Sequence, residues 1–249
     1  MSDSAATIGI SGHRLTSLNL AESAPVAPSR AAWLLVETVA VTTAAVLTIR
    51  LLAETSLRES LWFFSPAVLV AAALIPPIVR KDRFPEIGLS RKQAKETLFV
   101  LACTCVVAFG ATFFGLWLLT LCGLEPSLRV VPQGNRQILS WLLHQFLYVA
   151  VAEEVFFRGY LQSNILRLTT TIRQEANRVS LRNWISIIVS AACFAAAHVI
   201  IHGQAISVLT FLPGLVLGWL FIRTRSLLAP ILFHGLANTF YCICTALLA

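Results

Sequence analysis

Residues 138–166 read ILSWLLHQFLYVAVAEEVFFRGYLQSNIL. The stretch is predominantly apolar and exceeds the roughly 20 residues that an α-helix needs to cross a bilayer. Two adjacent carboxylates, Glu153 and Glu154, interrupt it, and Arg158 follows. Working outward, six more segments have this character, near 31–53, 60–79, 97–123, 184–202, 205–222 and 227–248. The expected fold is therefore all-α, a polytopic transmembrane helical bundle of about seven spans. The second segment contains Pro76-Pro77, a pair expected to stop or kink the helix. No internal repeat and no second soluble domain is visible.

Composition excludes the water-soluble alternative. Of 249 residues, 57% are hydrophobic and 12% charged, and mean hydropathy is +0.78. A soluble domain carries roughly 25% charged residues. Such a chain cannot cover its surface with polar groups, and the lipid bilayer is the solvent that suits it. The domain reading has three parts. Residues 1–30 form a Ser/Ala/Pro-rich flexible tail without a signal-peptide apolar region. Residues 31–96 hold the first two spans and a basic amphipathic connection. Residues 97–249 form the core that carries the chemistry.

The net charge of +7 arises from clusters between apolar runs. Arg80, Lys81, Arg83, Arg91, Lys92 and Lys95 crowd one connection, and Arg167, Arg173, Arg178 and Arg182 another. Arg223 and Arg225 mark a third. With seven spans these connections fall on one side, expected to be cytoplasmic with the N-terminus. They read as anchors facing anionic headgroups, not as a nucleic-acid surface. Ile87–Glu96 is amphipathic enough to lie at the interface. In the first span, Arg50 can snorkel from near one end, while Glu37 is a further ionisable group. The six cysteines lie in apolar stretches with no C-x-x-C spacing, so neither a disulfide framework nor a zinc knuckle is expected. Cys244 is not fourth from the last residue of this sequence, so the chain is not expected to be a prenylation substrate itself.

Ionisable groups inside spans are costly and ask for an explanation. Glu154 and Arg158 are four apart and share a helix face. Glu153, rotated about 100° from Glu154, can point towards other helices. A buried salt-bridge cluster accounts for Glu154 and Arg158 but leaves Glu153 without a role. The segment near 184–202 offers His198 after Phe194 and three alanines, which let a neighbouring helix approach closely. His202, one turn on, is expected at the interface. The last segment holds His234 and Asn238, four apart on one face. Each alone reads as well as a core histidine or interhelical polar glue. Together they form a hydrolytic set: a carboxylate and a histidine can deprotonate a water, and a histidine and an asparagine can stabilise an oxyanion.

The three motifs occur in order as Glu153-Glu154-x-x-x-Arg158, Phe194-x-x-x-His198 and His234-x-x-x-Asn238. In this the chain resembles the CPBP family of intramembrane endopeptidases, which includes CAAX-processing proteases. Phe211, Gly214, Gly218 and the run Arg223-Thr-Arg-Ser-Leu also resemble the family, over roughly residues 90–245. The resemblance implies that Glu153 and His198 activate the water, that His234 and Asn238 form the oxyanion site, and that Glu154 and Arg158 support it. It implies a substrate that is a protein or peptide anchored in or near the membrane: a prenylated C-terminus, a leader, or a C-terminal sorting anchor. The family has also been described as metal-dependent, and Glu153, His198 and His234 can supply a His₂Glu set to zinc. Asn238 is a poor zinc ligand, and the metal-free glutamate mechanism is the preferred expectation, with no cofactor. Two other classes use the same polar cluster, a non-catalytic membrane scaffold and a proton-coupled transporter. The transporter class expects internal repeats and broken helices in matching halves, and the sequence shows neither.

Overall fold

A computed structural model describes residues 28–55, 62–82, 91–123, 135–172 and 179–248. Among these residues there are helices and no strand. The order is α1 (Pro28–Glu54), a 3₁₀ turn (Trp62–Phe64) leading into α2 (Ser65–Arg80), α3 (Arg91–Leu121), α4 (135–172), α5 (Val179–His202), a second 3₁₀ turn (Ala205–Thr210) leading into α6 (Phe211–Thr224), and α7 (Leu228–Leu248). Each expected apolar segment coincides with one helix. Five stretches, Ser29–Glu54, Ala94–Leu121, Gln137–Thr169, Leu181–His202 and Ala205–Thr224, are long and apolar enough to cross a membrane, and Ser65–Arg80 and Leu228–Cys244 are shorter apolar helices. The outward surface has the same character: Phe99, Val106 and Val107 on α3 are 70%, 74% and 73% exposed. Such a surface belongs in hydrocarbon, and the protein is integral to the membrane.

The helix α2 does not stop at its prolines. It runs through Pro76 and Pro77 to Arg80 and ends where Lys81 turns left-handed, φ 58°. Each proline removes one backbone donor, here one that would reach the carbonyl four residues back, but fixes φ at a helical value, and the helix continues without those two bonds. Most of the sequence-expected tail, residues 1–27, lies outside the described residues, and α1 already begins at Pro28. Of the stretch 87–96, residues 87–90 lie outside them, and Arg91 opens α3.

The central helix is α4, and it is irregular. It is α-helical over Asn135–Leu143, π-helical over His144–Ala150, α-helical over Val151–Glu154, π-helical over Val155–Gln162 and α-helical again over Ser163–Ile172. The wider i→i+5 turn is seen where the Val151 N–H donates to the Phe146 carbonyl. Widened turns leave carbonyls to be met from the side. Ser190 Oγ donates to the Phe157 carbonyl at 3.0 Å, and Ser163 Oγ to the Arg158 carbonyl at 3.0 Å. All eight residues of Val155–Gln162 are buried. Val155, Phe156, Phe157, Tyr160 and Leu161 among them form an apolar cluster with Ala45 and Ile49 of α1, Leu69 and Ala73 of α2, Phe194 of α5 and Phe221 of α6.

Close helix approach depends on glycine at two places. A Cβ on Gly214 of α6 would lie 3.1 Å from the Ala191 Cβ of α5. One on Gly235 of α7 would lie within 2.6–2.7 Å of Cε1 and Cγ of Phe146 in α4. The same glycine faces expose backbone acceptors: the Gly214 and Gly218 carbonyls accept from Arg158 Nη2 at 3.2 Å and Gln162 Nε2 at 3.1 Å.

Polar links fix the ends. Asp82 Oδ2 accepts from Arg80 Nε at 2.8 Å and from Arg167 Nη1 at 2.6 Å. Arg80 also pairs with Glu37, which accepts from Tyr160 OH at 3.1 Å. This clasp ties α1 and α2 to the C-terminal half of α4 and gives Glu37 its partners. Arg223 at the end of α6 pairs with Glu96 at the start of α3, 2.6 Å. Ion pairs thus draw together the described helix ends that flank the basic connections. Arg50 pairs with Glu54 at 2.5 Å and donates to the Ile201 carbonyl at 3.3 Å, joining the far ends of α1 and α5.

Candidate active site

The short α-helical turn Val151–Glu154, between two π segments, presents two carboxylates in different directions. Glu154 is fully buried. Its Oε1 accepts from Arg158 Nη1 at 2.9 Å, the expected i,i+4 pair. Arg158, also fully buried, is held by the Gly214 carbonyl and lies 4.7 Å from the centroid of the Phe194 ring. Cation–π contact suits a guanidinium withdrawn from water. Glu154 has a second partner that its helix spacing does not reveal: His234 Nδ1 of α7 is 2.7 Å from the same Oε1. The carboxylate between a guanidinium and an imidazole therefore both neutralises Arg158 and orients His234.

Glu153 faces the other way. Its Oε2 lies 3.9 Å from His198 Nε2 and 3.8 Å from His234 Nε2. These separations exceed direct hydrogen-bond range. The oxygen is buried and has no hydrogen-bond partner among the described residues. Each imidazole is pinned through its other nitrogen. His198 Nδ1 lies 2.9 Å from the Phe194 carbonyl; a carbonyl only accepts, so Nδ1 carries a proton and Nε2 is the nitrogen that faces Glu153. His234 Nδ1 likewise donates to the Glu154 carboxylate, leaving Nε2 directed at Glu153. The Phe194 ring lies 4.3 Å from the His198 ring and 6.0 Å from the His234 ring, so the phenylalanine of the second motif packs against both histidines and Arg158.

The structure thus gathers Glu153, His198 and His234 at one point, with Glu154 and Arg158 directly behind. Asn238, one turn beyond His234 on the same face, is engaged elsewhere: its Nδ2 donates to Gln145 Oε1 of α4 at 3.1 Å. His202 is exposed, its ring 5.6 Å from that of His198. Gln145, and the second partner of Glu154, were not singled out from sequence. The signal for Gln145 was present, a polar amide within an apolar run, but the neighbouring carboxylates are far costlier to bury and drew the reading to themselves.

Glu153, His198 and His234 are the residues from which a His₂Glu metal site would have to be built. Among the described residues no group of three or more His, Cys, Asp or Glu is spaced to hold a metal ion. Tetrahedral zinc with ligands at roughly 2.0–2.1 Å brings neighbouring donor atoms to about 3.3 Å, closer than the 3.8 and 3.9 Å gaps here.

The family model for type II CAAX prenyl endopeptidases, Rce1-like, matches residues 135–240. A search of curated proteins and a search of solved structures each found no match. The matched residues contain the Glu pair, Arg158, Phe194, both histidines and Asn238, with the helices α4 to α7 that place them. The match to the Rce1-like model of type II CAAX prenyl endopeptidases thus falls on the same residues as the three motifs.

Proposed function

We propose that the protein is an intramembrane endopeptidase that hydrolyses a peptide bond of a membrane-anchored protein or peptide, using water activated by Glu153 and His198. The observation that carries this reading is the position of Glu153 Oε2, 3.8–3.9 Å from two imidazole nitrogens whose partner nitrogens are both engaged. Polar groups at that spacing are joined well by one bridging water.

The steps follow from the side chains. Glu153 takes one proton of the water as its oxygen attacks the carbonyl carbon, while His198 Nε2 accepts a hydrogen bond from the other proton. Negative charge develops on the carbonyl oxygen. His234, protonated on both nitrogens between Glu154 and Glu153, donates from Nε2, and Asn238 donates from its amide. Two carboxylates, one guanidinium and one imidazolium make the cluster neutral overall, which limits the cost of burying it. Glu153 then returns its proton to the leaving amine as the C–N bond breaks. Glu154 and Arg158 act by holding His234 and the helix turn in place.

The proposed substrate is a chain end held at the membrane by lipid or by an apolar segment, and the family description favours a prenylated C-terminus. The basic connections are proposed to be cytoplasmic, by the excess of Lys and Arg there. Mass spectrometry of membrane peptides tests the reading. Cells with the protein should release short fragments that cells lacking it do not, and a chelator should leave this release intact. Identical peptide profiles contradict the protease reading, and zinc-restorable loss with chelator contradicts the metal-free mechanism.

A further inference from the structure

We propose that Gln145 is a positioning residue of this site, fixing the amide of Asn238 so that its free N–H serves the oxyanion. The inference rests on the oxyanion role given to Asn238 above. An asparagine side chain has two nearly isosteric orientations, with oxygen and nitrogen exchanged. Only one presents donors to a developing negative charge. Gln145 Oε1, 3.1 Å from Asn238 Nδ2, selects it. An acceptor opposite the NH₂ group uses one of its two protons and leaves the second directed away. With Gln145 held as it stands, the exchanged orientation would set two acceptor oxygens against each other; turning both amides together would reverse the bond, and the Gln145→Glu variant, which offers only acceptors, forbids that.

The surroundings fix this contact in space. Gln145 lies in the π segment His144–Ala150, eight residues before Glu153 on the same helix. Its neighbour Phe146 packs against Gly235, where a Cβ could not be accommodated. Gly235 lies three residues before Asn238 and next to His234. The spacing of α4 and α7 is therefore set one residue from Gln145. Both amides are only partly exposed, so bulk water competes weakly for the bond. Glu154 orients His234 and Gln145 orients Asn238: each proposed oxyanion donor on α7 is held by a side chain of α4.

An interhelical amide bond is also ordinary packing glue in membrane bundles, so the test must separate positioning from stability. The probe is an internally quenched farnesylated peptide ending in a C-a-a-X sequence, cleaved by the full chain in detergent micelles. Gln145→Met keeps the shape and removes the acceptor. It should lower kcat by about 10- to 10²-fold, as small misplacements of catalytic groups do, with KM within about twofold and the melting temperature nearly unchanged. Gln145→Glu restores an acceptor oxygen and should recover kcat well above that of Gln145→Met. In an Asn238→Ala background, Gln145→Met should add little, because the two act as a unit. Unchanged kcat in Gln145→Met, a loss that multiplies with Asn238→Ala, or no recovery in Gln145→Glu would each overturn the positioning role. Failure of the underlying reading looks different: no turnover by the unaltered protein, or full turnover by both Glu153→Gln and Asn238→Ala.

Discussion

Gly235→Ala should damage the site without touching any of its polar groups. The added Cβ would come within 2.6–2.7 Å of Phe146 Cε1 and Cγ, about 0.7–0.8 Å inside the 3.4 Å at which ordinary contact begins. Rotating the ring does not relieve the clash, because Cγ lies on the rotation axis. Either Phe146 changes its first side-chain torsion or α7 withdraws from α4. Overpacking of this kind typically costs about 1–3 kcal/mol of stability. Withdrawal also carries His234, the next residue back, away from Glu154 and Glu153, and a displacement near 1 Å can cost about 10²-fold in rate. Hydrolysis of the farnesylated peptide and melting in detergent should both be measured. The expected result is a fall of at least tenfold in kcat with a lowered melting temperature. In a Phe146→Ala background the obstructing ring is absent, so Gly235→Ala should add little to whatever Phe146→Ala costs. Gly235→Ala with unaltered kcat and melting would refute the claim that this contact sets the spacing of the site.

Glu154→Ala should reduce the yield of folded protein, because it leaves Arg158, fully buried, without its anionic partner, and breaking such a pair costs about 3–5 kcal/mol. The double variant Glu154→Leu/Arg158→Met should regain stability by thermal melting but not hydrolysis, since His234 Nδ1 still lacks its anchor. Acid should loosen the clasp around Asp82. Burial works to raise its pKa, but the hydrogen bonds and charges of Arg80 and Arg167 outweigh it and hold the carboxyl below its usual value. A depressed pKa contributes stability above the unfolded value, about 3.9, that is lost as pH falls below it. Melting temperature followed from pH 7 to pH 3 should therefore drop less steeply for Asp82→Asn than for the unaltered protein.

The spans were legible because a bilayer imposes one constraint on every residue of a helix, and the segments ending near 53 and 202 match α1 and α5 closely. The ion pair of Glu154 and Arg158 was legible because i,i+4 spacing is local. The divergence of Glu153 followed from the same 100° rotation. What lay beyond the sequence depends on contacts between helices. That Glu154 also holds His234, 80 residues away, has no local signature. Nor do the π segments around Val151–Glu154, since backbone widening follows from how α4 packs against its neighbours. At Pro76-Pro77 a local rule expected a stop or a kink, and the helix does not stop there but runs on to Arg80, because the φ that proline fixes is a helical one. Glu37 stood out as a charge in a span, yet its partners Arg80 and Tyr160 come from two other helices.

The central claim is that Glu153 is the base that activates water, with its companion His198. The most direct measurement is hydrolysis by purified Glu153→Gln beside the unaltered protein, with a melting curve for each. Glutamine keeps the size and hydrogen-bonding capacity of the side chain but cannot take the proton of water. The account predicts normal melting and a loss of kcat of about 10²–10⁴-fold. Full activity of Glu153→Gln would contradict it.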